Sequence, residues 1–297
     1  MTSLLKYLSN NETMNLKTFY ASTFLLCLIL ASCTTETGPA KPKGKLFIIG
    51  GGEKTDAMMN ELVALAGLGK GDYAFILPMS SATPDSSIIW ARADFTGTGV
   101  NKVTGFNFIK GVTPPQDKLD SLKKAKLIFI SGGDQSRFMD AVKNSPVKDA
   151  IFYAYSNGAV ISGTSAGAAV MSRKMITGNQ KKHPDAETGF QTIEADNVEI
   201  TEGLGFLTDV IIDQHFVKRQ RLNRLVAASI ENPEQLCVGI DESTAIIVKG
   251  DSAIVTGISQ VVVIKNNPSE KKVQNGLLGK ENMQLSVYFP GQSFLLR

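Results

Sequence analysis

The chain has 297 residues, 43% apolar and 20% charged, with a formal net charge of +3. That is enough for one large domain with a substantial core, or two small ones. The weak, dispersed charge provides no basic patch of the kind that nucleic-acid binding needs.

The first 33 residues read as a leader outside the fold. Lys17 precedes the apolar run Tyr20 to Leu30, which is too short to span a membrane and is placed like the core of a signal peptide. Met14 as the start would give a more usual leader length. The run ends in Leu30-Ala31-Ser32-Cys33, which resembles a bacterial lipobox. The resemblance implies cleavage before Cys33, lipidation of that cysteine and anchoring to a membrane of the cell envelope. Residues 34–43 (TTETGPAKPK) form a polar tether, and residues 44–297 are expected to make one domain without internal repeats. With Cys27 lost and Cys33 lipidated, the mature chain keeps only Cys237, which excludes a disulfide framework. Cys237 lies in an apolar run and reads as a small core residue. Two histidines and no Cys-x-x-Cys argue against structural zinc, and no metal or cofactor is expected.

From Lys45 the chain alternates strand and helix signals. Leu46 to Ile49 is a continuous apolar run ended by Gly50-Gly51-Gly52, and a helical pattern follows at Met58, Leu62, Leu65 and Ala66. Tyr73 to Leu77 is a second buried strand, Val103 to Ile109 alternates, and Leu127 to Ile130 is a further buried run. Val210 to Ile212 is another. Continuous apolar strands separated by helices predict a mostly parallel central sheet covered on both faces, a three-layer α/β sandwich. Such sheets keep their sites beyond the carboxyl ends of the strands. Gly178 to Asp196 is polar and reads as a long loop, and Val217 to Ile230 has the spacing of an amphipathic helix. After Gly239, strands joined by tight turns (Ala245 to Val248, Ala253 to Thr256, Val261 to Ile264) predict an antiparallel hairpin edge. Met283 to Leu296 supplies one or two closing strands.

Most of the chemistry gathers around one stretch. Ala159 to Ile161 reads as a strand, Ala168 onward as a helix, and Gly163-Thr164-Ser165-Ala166-Gly167 lies between them. This is the layout of a nucleophile elbow, a sharp strand-to-helix turn that holds its central serine strained and exposed. Flanking glycines are needed because side chains would collide with the turn. A serine nucleophile needs a base. His183 lies in a polar loop and reads as solvated, whereas His215 directly follows a buried strand, where this architecture keeps its sites. The imidazole in turn wants a carboxylate, and Asp241 and Glu242 both end the next buried strand.

Four motifs in order then resemble a known family. They are Gly132-Gly133-Asp134-Gln135, the elbow, Asp213-Gln214-His215-Phe216 followed by Arg219, Arg221 and Arg224, and Gly239-Ile240-Asp241-Glu242-Ser243-Thr244-Ala245. Together, over about Lys45 to Ile264, they look like a cyanophycinase of the S51 serine-peptidase family. The resemblance implies a class I glutamine amidotransferase-like fold with serine in place of cysteine. It implies Ser165 as nucleophile, His215 as base and Glu242, rather than Asp241, as orienting acid. Backbone N–H groups of Gly133 and Ala166 would form the oxyanion hole. Gln135, Thr164, Asp213, Gln214, Arg219, Arg221 and Arg224 would contact an anionic substrate, guanidinium forks being matched to carboxylates. Cations early in a helix oppose its dipole, which itself suggests an anionic ligand there. The implied substrates are aspartyl-linked peptides: β-Asp-Arg units or other β-aspartyl and isoaspartyl bonds, with α-aspartyl dipeptides as the alternative. A lipid anchor fits an extracellular or periplasmic peptide better than a cytoplasmic granule. The other expected partners are the membrane, through Cys33, and a second copy in a homodimer. A peptide-binding lipoprotein without catalysis is the reading from a different class, and a complete serine, histidine and acid set disfavours it.

Overall fold

The computed structural model describes residues 43–100, 102–186, 189–267 and 270–297. The leader, Cys33 and all of the tether but Lys43 lie outside the described residues. Five parallel strands form one side of the main sheet, out to its edge at β3: β1 (Lys45–Ile49), β2 (Ala74–Leu77), β3 (Val103–Gly105), β4 (Leu127–Ile130) and β5 (Val160–Thr164). They lie in the order β1-β5-β4-β2-β3. The helices between them are α1 (Asp56–Ala66), α2 (Pro84–Asp94), α3 (Gln116–Lys124), α4 (Gln135–Val142) and α5 (Pro146–Ser156), and the single turn α6 (Ala166–Ala169) follows β5.

Side chains alternate across each strand, so β1 feeds two cores. Phe47 and Ile49 pack with Met58, Met59 and Leu62 of α1 and Ala91 of α2. Leu46 and Ile48 face the other way, in a core shared with Leu122 of α3, Phe138 of α4, Ile151 of α5 and Ala168 of α6. Covered on both faces, these strands have no polar side to show, which is why they read as unbroken apolar runs. Phe47, Phe75 and Phe129 are fully covered. A buried phenylalanine of this kind is worth about 3–5 kcal/mol against alanine.

The remaining elements are β6 (Lys174–Gln180), β7 (Val198–Glu202), β8 (Val210–Gln214), α7 (Leu222–Glu231), β9 (Leu236–Ile240), β10 (Thr244–Lys249), β11 (Ser252–Gly257) and β12 (Val261–Lys265). Two short strands, β13 (Lys272–Gln274) and β14 (Leu277–Gly279), pair with each other, and β15 (Gln284–Tyr288) and β16 (Ser293–Leu295) follow. The β10–β11 hairpin joins the free edge of β1 antiparallel, with β16 outermost, as the turn-rich sequence after Gly239 predicts.

Three details of the sheets and loops differ from the sequence reading. First, β8, β9 and β12 leave the main sheet and, with β15, form a second sheet in the order β15-β12-β9-β8. Because β10 occupies the edge of β1, from Leu46–Val248 to Ile49–Ala245, no edge remains there for β8. An apolar run reports burial on both faces and says nothing about which sheet supplies it. Second, the long polar loop is shorter than expected, since β6 extends to Gln180 and pairs antiparallel with β7. Third, only Val103–Gly105 of the alternating 103–109 stretch is strand.

Candidate active site

At the end of β5 the chain turns abruptly, and Ser165 takes φ 55° and ψ −111°. Strain of this kind costs about 1–3 kcal/mol and persists only where the surroundings enforce it. Here they do. A Cβ on Gly163 would lie 2.1 Å from the carbonyl oxygen of Gly167, and one on Gly167 would lie 2.4 Å from that of Ile130. The Ser165 N–H donates to the Ile49 carbonyl at 3.0 Å, tying the turn to β1.

His215 ends β8 in the second sheet and reaches the same place. Its backbone, at φ 49°, lets its N–H donate to the Gly50 carbonyl at 2.7 Å. Its ring is largely buried, with Nε2 2.8 Å from Ser165 Oγ and Nδ1 2.6 Å from Glu242 Oε1. With Nδ1–H donating to the carboxylate, Nε2 is left as the acceptor for the serine O–H, which is the tautomer a general base needs. Burial pushes the imidazole pKa below the usual histidine value, and the charges of Arg219 and Arg221 push the same way; Glu242 opposes them. The ring therefore stays neutral, and able to accept a proton, at neutral pH.

Asp241 takes a different role. Its Oδ1 accepts from the Lys218 N–H at 2.9 Å and its Oδ2 from the Ser259 hydroxyl at 2.7 Å. Burial raises its carboxyl pKa, but these and neighbouring backbone donors outweigh that and hold it low. It staples the turn after His215 to the end of β9, while Glu242 alone points at the ring.

The glycine run Gly50-Gly51-Gly52 is the feature that the sequence reading passed over as a strand end. A Cβ on Gly51 would lie 2.3 Å from His215 Cε1, and one on Gly52 would lie 2.8 Å from Glu242 Cβ. Those residues occupy the space that side chains on Gly51 and Gly52 would take. Three consecutive glycines after a buried strand are the signal from which this was readable.

Over the serine lies the loop after β4. A Cβ on Gly132 would sit 3.3 Å from Ser165 Cβ. Gly133 has φ 136°, and a Cβ there would come within 2.2 Å of the Ser80 carbonyl oxygen. Ser80, fully buried, pins this loop: its hydroxyl donates to the Ser131 carbonyl at 2.6 Å, and its own carbonyl accepts from the Asp134 N–H at 2.8 Å and Arg137 Nη1 at 3.0 Å. Ala166 opens α6, so its N–H has no partner within that helix.

The residues expected to bind substrate divide into two groups. Thr164 lies beside Ser165 at the end of β5 and lines a cavity of about 290 Å³ with Ser165, His215 and Gly132. Arg219, Arg221 and Arg224 line a larger cavity of about 570 Å³, bounded by Asn179 near the end of β6 and Phe190 from the segment joining β6 and β7. Asp213 and Arg224 are buried and paired with each other, Arg224 Nε donating to Oδ2 at 2.7 Å with a second bond from Nη2 to Oδ1. Arg221 Nη1 donates to both the carbonyl and the side-chain oxygen of Gln214 at 2.7 Å. Burial and the neighbouring Arg224 push the Arg221 pKa down to about 10. Gln135 donates to the Ile176 carbonyl at 3.0 Å and to that of Thr177. Arg219 is half exposed, 3.8 Å from Glu242. The helix expected to carry these arginines starts at Leu222, later than the spacing predicts, and contains only Arg224, because Gln220 at φ 52° has a left-handed backbone that no helix includes. Arg219 therefore precedes the helix, and the dipole argument does not apply to it.

His183 lies in an exposed loop 2.8 Å from Glu194, away from the serine. Cys237 is fully buried, and burial pushes its thiol pKa up to about 12, as suits an inert core residue. Among the described residues no group of histidine, cysteine and acid side chains could hold a metal ion.

Comparison with known proteins bears on what this arrangement does. Residues 46–256 match the family model described as Peptidase family S51. The chain is 31% identical over 268 residues to the cyanophycinase of Nostoc sp. (strain PCC 7120), covering 87% of each chain. It is also 31% identical over 252 residues to the cyanophycinase of Synechococcus elongatus, covering 83% of this chain and 75% of the relative. Among solved structures, a peptidase from an acI-B1 Actinobacterium superposes with a TM-score of 0.64 at 21% identity, over 85% of this chain and 96% of that one. A putative peptidase E protein from Listeria monocytogenes EGD-e gives 0.51 at 15% identity, over 73% and 99%. These likenesses establish a shared α/β fold, which agrees with a class I glutamine amidotransferase-like architecture.

Proposed function

The chain belongs to peptidase family S51, and we propose that it hydrolyses aspartyl-linked peptides, with Ser165 as nucleophile, His215 as base and Glu242 as orienting acid. That it is a serine-type peptidase follows from the family; the substrate and the residue roles are the proposal. The observation that carries the roles is the continuous chain from Ser165 Oγ through His215 to Glu242, with steps of 2.8 and 2.6 Å.

The chemistry follows from that chain. Ser165 Oγ attacks the scissile carbonyl as its proton passes to His215 Nε2, and Glu242 stabilises the imidazolium that forms. The N–H groups of Gly133 and Ala166 receive the negative charge on the carbonyl oxygen; one such donor is worth about 2.7–4 kcal/mol in other enzymes. His215 then returns the proton to the departing amine. The acyl-enzyme is hydrolysed by water activated in the same way. For the substrate, the support is the likeness to two cyanophycinases at 31% identity and a cationic cavity close to the triad, lined by exposed Lys218 and half-exposed Arg219. A β-aspartyl bond in a peptide carrying free carboxylates fits those features. With the lipobox-like Cys33, the proposed setting is the cell envelope, acting on peptides outside the cytoplasm.

The test is to incubate the protein from Cys33 onward with cyanophycin, isoaspartyl peptides and α-aspartyl dipeptides, and to identify products by mass spectrometry. Release of β-aspartyl products by the wild type, absent in Ser165→Ala, supports the proposal. Cleavage of α-aspartyl dipeptides alone assigns the alternative specificity, and turnover by pure Ser165→Ala removes Ser165 from the role of nucleophile.

A further inference from the structure

The cavity of about 290 Å³ that Ser165 lines is separate from the arginine-lined one, and the two share no lining residue. Its far wall is α2, through Ser87, Trp90 and Asp94, and Lys54 closes it from the segment after β1. It therefore opens on the α1–α2 face of the main sheet. The arginine cavity is built on β6 and the residues after β8.

Resting on Ser165 as nucleophile, we infer that this cavity is the subsite for the acyl portion of the substrate, and that Lys54 there receives a carboxylate carried on that portion. The acyl carbon must bond to Ser165 Oγ while its oxygen points at the Gly133 loop. The remainder of the group then continues into space bounded by Ser165, Ser131 and Gly132, and all three line this cavity. The leaving amine takes its proton from His215, and Arg219 of the arginine cavity lies 3.8 Å from the Glu242 carboxylate that His215 bonds. The leaving portion is thereby assigned to the arginine cavity.

The wall has the chemistry for an anion. The Lys54 side chain is only 15% exposed, and Nζ lies 3.1 Å from Asp94 Oδ2. An ammonium has three donors, and Asp94 takes one. Asp94 is itself poorly solvated: burial raises its carboxyl pKa against the pull of Lys54. A lysine placed here already desolvated, beside an incomplete shell of acceptors, gains more from a ligand carboxylate than a surface lysine would. Trp90, the single tryptophan of the chain, stands at the rim 64% exposed. So large an aromatic surface left in water beside a nucleophile suits a side chain that covers a bound ligand.

The experiment compares two phosphonates identical but for one group, a carboxylate in one and a carboxamide in the other, as covalent labels of Ser165. The expected result is that wild type reacts with the carboxylate reagent about tenfold faster, the lower end for a hydrogen bond to a charged group. In Lys54→Gln the ratio of the two rates falls to about one, and in Lys54→Arg it is restored. Asp94→Asn, which leaves the ammonium without its counter-charge, raises the ratio. An unaltered ratio in Lys54→Gln overturns the inference, since a purely structural lysine would slow both reagents alike. A separate readout does not need the nucleophile. In Ser165→Ala, Trp90 emission is titrated with the succinate monoamide of a small amine. A response in that background, lost on adding Lys54→Gln, supports the subsite even if wild type fails to label. No response overturns it. Failure of both reagents on wild type, with the Trp90 response intact, would strike at Ser165 as nucleophile instead.

Discussion

Replacing Glu242 by glutamine keeps the side chain's length while removing its charge, so it probes the orienting acid with little steric disturbance. In the native site the carboxylate accepts a hydrogen bond from His215 Nδ1 at 2.6 Å and favours the imidazolium. Burial, Arg219 and Arg221 all disfavour it. A neutral amide leaves those three unopposed and can hydrogen-bond the wrong tautomer. The equivalent loss in a serine protease costs about ten-thousand-fold in kcat. Glu242 is 27% exposed on its side chain, so solvent offsets part of the charge here. The expected loss is therefore about a thousand- to ten-thousand-fold in kcat with KM nearly unchanged. The pH dependence carries a second, signed expectation. Activity requires neutral His215, so kcat/KM rises with pH through the histidine pKa, which burial holds below the ordinary value. In Glu242→Gln that pKa falls further, and the acid limb moves to lower pH. The assay is steady-state hydrolysis from pH 4 to 9 with both proteins folded by circular dichroism. Asp241→Asn is the control: it disturbs the acceptors for Lys218 N–H and Ser259 and should lower Tm far more than kcat. A glutamine variant within tenfold of wild type, or an acid limb that moves upward, would refute the reasoning.

Gly133→Ala should lower kcat by about a hundred- to a thousand-fold, because a Cβ 2.2 Å from the Ser80 carbonyl must displace the donor above Ser165; burst kinetics with an activated ester would show it, and a normal burst would exclude Gly133 from the oxyanion hole. Arg224→Leu strips buried Asp213 of its bidentate partner and leaves only Arg221 at 4.0 Å, which should cost about 3–5 kcal/mol of stability in urea denaturation; a loss below about 1 kcal/mol would mean that the pair adds nothing to the fold. For location, native protein should sediment with membranes and Cys33→Ala should not, since several acyl chains anchor firmly where one does not; unprocessed protein in the soluble fraction would count against the anchor.

How far the site was legible depended on whether its cause was local. The elbow was readable because its requirement is local: Gly163 and Gly167 must lack side chains within two residues of Ser165, and such a constraint appears as a motif. His215 was readable for a related reason, as a polar residue at the end of a buried run. Asp241 and Glu242 stayed equivalent on spacing alone. Their choice turns on which carboxylate meets Ser259 and Lys218 and which meets an imidazole, and these partners lie up to 27 positions away. The helix start at Leu222 was missed for a backbone reason, since apolar spacing continues through Gln220 while its φ of 52° does not permit a helix. Lys54 and Asp94 gave no signal at all, being forty positions apart and ordinary in their own contexts.

The partition of strands into two sheets was the least legible feature, and the triad depends on it. Ser165 ends β5 in the main sheet, whereas His215 and Glu242 come from the ends of β8 and β9 in the other. Nothing in an apolar pentapeptide records that division, because β8 and β9 are as fully buried as β4 and β5. What joins the two sheets at the site is backbone. His215 N–H donates to the Gly50 carbonyl, Ser243 N–H to that of Gly51, and the Ser165 N–H to that of Ile49. Three successive carbonyls at the end of β1 thus hold the residues that carry, or directly follow, the nucleophile, base and acid. The strand that contributes no reactive side chain sets the distances among the three that do. It can do so only because Gly50, Gly51 and Gly52 leave room for the other segments to approach, a Cβ on Gly50 itself lying 2.2 Å from the Asp241 carbonyl oxygen.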